Sequence, residues 1–168
     1  MTGEPRLAVF DIDGVLADVE HRRHHIDGGR RSWAAFFAAA ADDPPLAPGL
    51  ALLREAEQAG HVVVYLSGRP EHLREVTTAW LAEHGCPQGE VVLRPDGDRS
   101  PAVRLKLARL REIAAGFGIA LFVDDDEAVV AAVRDHRPPL AERVVLADWQ
   151  PGGARRTMRR AQQREGRT

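Results

Sequence analysis

Five short apolar runs alternate with longer stretches of helical character along this 168-residue chain, and this rhythm constrains the fold more than any other feature. The predicted strands are Leu7–Phe10, His61–Leu66, Glu90–Leu93, Ile119–Val123 and Arg143–Leu146. Strands that are apolar throughout must be covered on both faces, which is typical of a parallel sheet between two layers of helices. We therefore predict an α/β protein with one domain, residues 1–150.

Helical signals fill the intervals between these strands. Residues 48–60 have apolar side chains at helical spacing, and a last helix is predicted through residues 128–133. The sequence SGRP at 67–70 is predicted to end the second strand and begin a helix that stops at Gly85. Ser100 and Pro101 predict an N-cap and a first-turn proline for the helix before the fourth strand.

Residues 18–45 interrupt the rhythm and are predicted to form a small cap or lid segment. Trp33, Phe36, Phe37 and Ala40 follow helical spacing, so one face of this segment is apolar. The aromatic residues could stack a nucleic-acid base, although ordinary packing is the favoured interpretation. The histidines at 21, 24 and 25 are interpreted as solvated loop residues rather than a transition-metal site.

Acidic and hydroxyl side chains occur where three of the predicted strands end. Asp11 and Asp13 follow the first strand, Ser67 follows the second, and Asp124 and Asp125 follow the fourth. In open α/β sheets, ligands bind beyond the carboxyl ends of the strands, so we expect these groups to meet in one crevice. Carboxylates so close together need a cation, or one of them must hold a proton.

Composition adds few constraints beyond those of an ordinary globular protein, with 44% hydrophobic and 29% charged residues and a net charge of −2. No run reaches the length of a membrane span, and the start MTGEPR lacks a signal-peptide core, so a cytoplasmic location and no membrane partner are expected. The single cysteine, Cys86, excludes an internal disulfide. The basic tail, residues 151–168, has six arginines against one glutamate. It is predicted either to hold phosphate backbones or to be a solvated, frayed helix.

Four segments of the sequence, taken in chain order, resemble the motifs of the haloacid dehalogenase (HAD) superfamily of phosphotransferases. The four matching segments are FDIDG at 10–14, YLSGR at 65–69, Lys106 and FVDDD at 122–126. The resemblance implies a Rossmann-like, HAD-type three-layer sandwich with a central parallel sheet and a small cap insertion after the first strand.

A closer similarity is to the phosphatase domain of polynucleotide kinase-phosphatase. As in that family, an arginine, Arg22, lies nine residues after Asp13, and SGR at 67–69 is followed by a helix containing Thr77 and Trp80. The similarity implies that Arg22, Arg69 and Gly68 bind the phosphate or backbone of a nucleic-acid end. Alanine stands at position 102, where the family usually has an acid, and no GxxxxGKS/T loop of a kinase half occurs in the chain.

The resemblance also implies a covalent mechanism assisted by Mg²⁺. Asp11 would be the nucleophile that forms an aspartyl-phosphate, and Asp13 would protonate the leaving oxygen and then activate water. The metal would be held by the side chains of Asp11 and Asp124 and by the main-chain carbonyl of Asp13. Asp125 would not contact the metal but would orient water or Lys106.

The phosphoryl oxygens themselves would be held by two further residues. Ser67 and Lys106 are implied in this role, and Arg104 is the alternative cation in the helix of Lys106. Because a dehalogenase needs no acid at position 13, the presence of Asp13 favours phosphoryl transfer.

Three hypotheses about function follow. The first is a Mg²⁺-dependent phosphatase that acts on the 3'-phosphate ends of nucleic acid or nucleotides. The second is a 5'-nucleotidase or general small-molecule phosphatase, because a short cap leaves the crevice open to many substrates. The third is a non-catalytic nucleic-acid-binding or partner-binding module that keeps only the fold.

Overall fold

One parallel sheet forms the centre of the protein, in a computed structural model that describes residues 5–151. The strands are β1 (Leu7–Phe10), β2 (Val62–Pro70), β3 (Glu90–Arg94), β4 (Ile119–Asp124) and β5 (Arg143–Leu146). The α-helices of the described residues are α1 (Trp33–Ala38), α2 (Ala47–Gln58), α3 (Arg74–Glu83), α4 (Ala102–Gly116) and α5 (Glu127–Asp135). The strand order is β3-β2-β1-β4-β5, so the direction of winding switches between β1 and β4.

Helices cover both faces of this sheet, which confirms the predicted three-layer α/β sandwich. Phe10 of β1 packs in one core with Leu53 of α2 and Trp80 of α3. Val9 faces the other way and packs with Leu110 of α4 and residues of α5. This alternation explains why a run such as Leu7–Phe10 is apolar at successive residues, since both sides of its pleat are buried.

The second strand is longer than its sequence predicts. β2 continues through Ser67 to Pro70, which pairs with Arg94 of β3, and α3 begins only at Arg74 after a short 3-10 helix. SGRP therefore does end the strand, as predicted, but the prediction that it starts the helix is wrong, because all four residues belong to β2. The proline is tolerated because it stands at the last residue of the strand.

The predicted start of α4 is also wrong by one residue, because the N-cap position is Pro101 rather than Ser100. The helix begins at Ala102 with Pro101 at the N-cap position, and no side chain caps it. Ser100 belongs instead to the preceding loop, where its main-chain N–H donates to the Asp98 carboxylate at 2.7 Å.

The segment of residues 18–45 contains α1 and two short 3-10 helices, Glu20–His25 and Ala39–Asp42. Its apolar side chains form a separate small core with Leu73, in which Trp33, Phe36 and Phe37 are all buried. These aromatic residues therefore contribute packing, as the favoured interpretation expected. The role of the segment as a lid stays a prediction, and residues 152–168 of the basic tail lie outside the described residues.

No helix in residues 5–151 is both long enough and apolar enough to cross a membrane.

Candidate active site

The carboxyl ends of the three middle strands bring the predicted site residues together. Asp11 directly follows β1, and its main-chain N–H donates to the carbonyl of Val123 in β4 at 2.9 Å. Asp124 ends β4 and Ser67 lies in β2, on the other side of β1. All three polar side chains are buried, as expected of a crevice at the switch in winding direction.

Lys106 of α4 lies between two of these acids and is 1% exposed. Its Nζ is 2.8 Å from Asp11 Oδ2 and 2.6 Å from Asp124 Oδ2. Burial alone would lower the pKa of Lys106, but the two carboxylates more than offset this and raise its pKa, so the ammonium stays charged. Arg104, the alternative cation, is exposed, which leaves Lys106 as the cation of this centre.

Three carboxylates form a cluster with the dimensions of a metal site. Asp11, Asp124 and Asp125 each offer an oxygen, and these oxygens lie within 4.8 Å of one another. Burial raises the pKa of Asp11 to about 7, with Lys106 acting against the rise, and burial also raises the pKa of Asp125. One lysine does not balance three buried acids, so the donor set fits a hard divalent cation such as Mg²⁺.

Gly14 explains why Asp125 belongs to this cluster. A Cβ at position 14 would lie 2.1 Å from Asp125 Oδ2, and the glycine has φ +78°. A side chain there would displace the carboxylate, and the positive φ disfavours any other residue. The grouping places Asp125 nearer to Asp11 and Asp124 than the sequence suggested.

Asp13 does not belong to this group of three carboxylates and is held by two arginines instead. Its Oδ1 accepts hydrogen bonds from Arg69 Nη2 at 2.6 Å, Arg69 Nε at 3.0 Å and Arg22 Nη2 at 2.9 Å. Its Oδ2 is buried and has no hydrogen-bond partner among the described residues. Burial alone would raise the pKa of Asp13, but the guanidinium groups of Arg69 and Arg22 outweigh it and lower the pKa.

Arg22 and Arg69 are fully buried and are shared between Asp13 and a second acid, Asp43. The Asp43 carboxylate accepts from Arg22 Nε and Nη2 at 2.7 Å each, and from Arg69 Nη2 at 2.9 Å. His21 Nε2 also lies 2.7 Å from it. Burial raises the pKa of Asp43, and Arg22 acts against that rise. In this arrangement the arginines position Asp13, while direct binding of a substrate by either arginine stays a prediction.

Sequence reasoning missed Asp43, although two residues quoted for the family similarity hold the same network. Thr77 Oγ1 accepts from Arg69 Nη1 at 3.3 Å, and Trp80 Nε1 donates to the main-chain carbonyl of Asp43 at 2.8 Å. Nothing in the local sequence separates buried Asp43 from exposed Asp42 beside it. The fold alone distinguishes them.

Ser67 and Gly68 lie on the strand that separates Asp13 from the loop after β3. Ser67 Oγ accepts a hydrogen bond from the main-chain N–H of Arg69 at 3.2 Å, and the serine is 1% exposed. The Gly68 carbonyl accepts from Arg94 Nε at 3.3 Å. Position 102, where the resembling family has an acid, holds a buried alanine in the core beneath α4.

Two solved structures illustrate the fold that this chain shares with known proteins. The chain superimposes with a TM-score of 0.67 and 26% identity on a protein of the Pnkp1/Rnl/Hen1 complex, covering 86% of this chain and 47% of that one. The class C acid phosphatase of Bacillus anthracis with tungstate bound gives a TM-score of 0.62 at 20% identity, covering 91% and 72%.

Curated relatives match a shorter part of the sequence. Membrane-associated phosphatidylinositol transfer protein 3 of Mus musculus is 32% identical over 89 residues, which is 52% of this chain and 9% of the relative. Protein retinal degeneration B of Drosophila melanogaster is 27% identical over 97 residues, which is 57% of this chain and 7% of that protein. The chain therefore spans less than a tenth of the length of these relatives.

The parallel sheet, with the buried acids and lysine at its carboxyl edge, identifies this protein as a HAD-type phosphatase, a class of phosphomonoester hydrolases. Residues 5–140 match the sequence model of one family within that class. The chain belongs to the family of the polynucleotide kinase PNKP phosphatase domain.

Proposed function

We propose that this protein hydrolyses phosphomonoesters through a covalent intermediate on Asp11. The observation that carries the proposal is the pairing of Asp11 with Lys106 at 2.8 Å, beside the carboxylates of Asp124 and Asp125. Burial favours the protonated form of Asp11, and the nearby ammonium opposes this by favouring the nucleophilic carboxylate. A carboxylate nucleophile divides the hydrolysis into two displacements, each with a lower barrier.

In the first displacement, a carboxylate oxygen of Asp11 bonds to phosphorus as the ester oxygen leaves. The protonated fraction of Asp13, which Arg69 and Arg22 keep small by lowering its pKa, donates the proton that the leaving oxygen takes up, and its unpartnered Oδ2 is the oxygen available for this transfer. In the second displacement, Asp13 takes a proton from water, which attacks the phosphorus and frees Asp11. Lys106 and Ser67 hold the phosphoryl oxygens during both steps.

The residues suited to hold Mg²⁺ are Asp11, Asp124 and Asp125, together with the main-chain carbonyl of Asp13 that the family resemblance implies. A divalent ion there would neutralise the negative charge of the phosphoryl group when bound. Lys106 alone cannot do this, because it already balances Asp11 and Asp124.

For the substrate, we propose the 3'-phosphate ends of nucleic acid or nucleotides. Support comes from the family and from the similarity to a protein of the Pnkp1/Rnl/Hen1 RNA repair complex, at 25% identity and a TM-score of 0.68. Alanine at position 102 is a departure from the family pattern, so a 5'-nucleotidase or general small-phosphoester activity is the competing outcome of the test.

The test compares phosphate release from a 3'-phosphorylated oligonucleotide, a 3'-mononucleotide and a 5'-mononucleotide, with Mg²⁺ and after chelation by EDTA. We expect the 3'-phosphorylated substrates to be hydrolysed faster and chelation to abolish release. If the 5'-mononucleotide is much the best substrate, the 3'-end assignment is wrong. Asp11→Asn should abolish turnover while Asp42→Asn, which changes an exposed acid, should not. A biological role unaffected by Asp11→Asn would instead support a non-catalytic module.

A further inference from the structure

A cavity of about 500 Å³ opens at the amino edge of the sheet, opposite the edge that holds the candidate active site. It is lined by the first residues of three strands, Leu7 of β1, Val62 of β2 and Glu90 of β3. The last turn of α4 and the next residue, Phe117, complete the lining. Because Asp11 follows the other end of β1, the proposed phosphatase chemistry makes no use of this cavity.

The cavity lies where α4 ends before it has covered its whole face of the sheet. Val62 and Val64 are two residues apart in β2, so they face the same side. Val64 is 4% exposed and packs in one core with Leu110 of α4, whereas Val62 is 48% exposed. Val92 of the edge strand β3 also lines the cavity. The helix thus leaves an apolar strip of the sheet uncovered.

The exposed apolar side chains of the protein gather at this cavity. Val62 and Phe117 are the two large hydrophobic residues that are exposed in residues 5–151, and both line it. Phe117 is 60% exposed and also borders a neighbouring cavity of about 300 Å³, which Leu140 lines. A single exposed apolar residue is ordinary, but an exposed aromatic ring beside an apolar cavity is typical of an interaction site.

The charges around this phenylalanine are already paired, which does not suit nucleic acid. Arg109 Nη1 lies 2.9 Å from Glu112 Oε2, and Arg6 Nη1 lies 2.6 Å from Glu142 Oε1. Glu90 adds a further negative charge to the lining. A phosphate backbone is held by cations that are free to neutralise it, so a protein surface is the better partner for this patch.

The patch is complementary to itself, and this favours a second copy of the chain as the partner. A two-fold axis brings the same patch of both copies together, so the Phe117 ring of each copy can enter the cavity of the other. A cavity of about 500 Å³ has room for an aromatic side chain and its neighbours. Because the surrounding ion pairs carry both signs, the rotation can bring opposite charges together, whereas a strongly acidic or basic partner needs a surface of one sign.

We propose that two copies of this chain associate through the amino-edge surface, formed by Val62, Phe117 and the cavity that they line, to give a symmetric dimer. Phe117 is the apolar anchor, and the ion pairs of Arg6 and Arg109 form the polar rim. Both active sites lie at the opposite edges of the sheets and stay open to substrate. The inference is therefore independent of the proposed function.

The test is sedimentation velocity over about a hundredfold range of protein concentration, in which we expect the monomer to convert to a dimer. Phe117→Asp should weaken the association by about a hundredfold or more, because a two-fold interface loses two buried rings, each contributing about tenfold. Val62→Asp should weaken it in the same direction. Ala51→Asp is the matched control, since it places the same charge at an exposed residue of α2 and should leave the association unchanged.

The outcomes that overturn the inference are distinct. A monomer at every concentration contradicts it, and that result is also expected if residues 1–4 of the same chain or a different protein cover the surface. A dimer that survives both substitutions has its interface elsewhere, and one that dissociates at high salt is held by charge rather than by Phe117.

The melting temperature of each variant, measured where the unmodified protein is monomeric, reports whether it folds. Phe117 and Val62 lie in different elements, so either variant decides the question if the other fails to fold. Turnover of p-nitrophenyl phosphate should be the same in folded variants and unmodified protein. If the dimer behaves as expected while no phosphate ester is hydrolysed, the interface stands and the proposed catalysis is wrong.

Discussion

Replacing Asp43 by asparagine should destabilise the protein strongly, although this residue lies outside the proposed nucleophile and metal ligands. Its carboxylate accepts three hydrogen bonds from Arg22 and Arg69, and both guanidinium groups are fully buried. After the substitution, Asp13 would be the only carboxylate in residues 5–151 that still pairs with these two buried positive charges. Removing one partner of a buried ion pair costs about 3–5 kcal/mol of unfolding free energy. Because asparagine keeps one acceptor oxygen, we expect the unfolding free energy to fall by about 3 kcal/mol, the lower figure.

Urea denaturation measures this loss directly. With a slope of about 2 kcal/mol/M, a loss of about 3 kcal/mol lowers the midpoint by about 1.5 M. Asp42→Asn is the matched control, since it makes the same chemical change at the neighbouring exposed position. If the two variants have the same midpoint, the network around Asp43 does not stabilise the fold, and the account of how Asp13 is positioned fails with it.

The remaining predictions concern the site itself. Lys106→Met should lower kcat/KM by about a hundredfold or more in phosphate-release assays, because no other described cation contacts Asp11. A loss below about fivefold would exclude the role proposed for Lys106. Mg²⁺ should raise the melting temperature of the unmodified protein and raise that of Asp124→Asn much less, and an equal rise in both would place the ion elsewhere. The folded-state pKa of Asp11, about 7, lies above its ordinary value of 3.8, so its stabilising contribution is complete below about pH 4 and is lost as the pH rises through about 7. Metal-free protein should therefore lose stability between about pH 4 and about pH 7, and Asp11→Asn should reduce that slope; identical slopes would contradict the assignment. Arg69 and Arg22 lower the pKa of Asp13, so only a small fraction of Asp13 is protonated, and this fraction falls further as pH rises. With rising pH, kcat/KM for alkyl phosphates should therefore fall relative to kcat/KM for p-nitrophenyl phosphate, whose leaving group needs no proton. A ratio independent of pH would remove Asp13 from leaving-group protonation.

The sequence was sufficient to predict the sheet and the acids at its edge, because both follow from local pattern. Apolar runs such as Leu7–Phe10 require two covering layers, and the carboxyl ends of parallel strands lie at one edge of the sheet, so Asp11 and Asp124 could be placed together from the sequence alone. Lys106 entered only through the family resemblance, since nothing in its own helix distinguishes it from Arg104.

Features that depend on side-chain direction or long-range pairing could not be predicted in the same way. Glycine and proline at 68 and 70 are typical of a turn, yet pairing with β3 keeps this stretch in the sheet. Asp125 groups with Asp11 and Asp124 because Gly14, far away in sequence, leaves space for its carboxylate. Asp43 is recruited by two arginines that arrive from separate segments, a contact that no local sequence pattern records.

The central claim is that Asp11 becomes covalently phosphorylated during turnover. The most direct measurement is mass spectrometry of peptides from Asp13→Asn protein, quenched in acid shortly after mixing with Mg²⁺ and p-nitrophenyl phosphate, whose leaving group needs no proton. In this variant, water activation is impaired, so the intermediate should accumulate, and we expect added phosphate on the peptide that contains Asp11. Substrate that is hydrolysed without any phosphorylated peptide, or with phosphate on a different residue, would contradict the account.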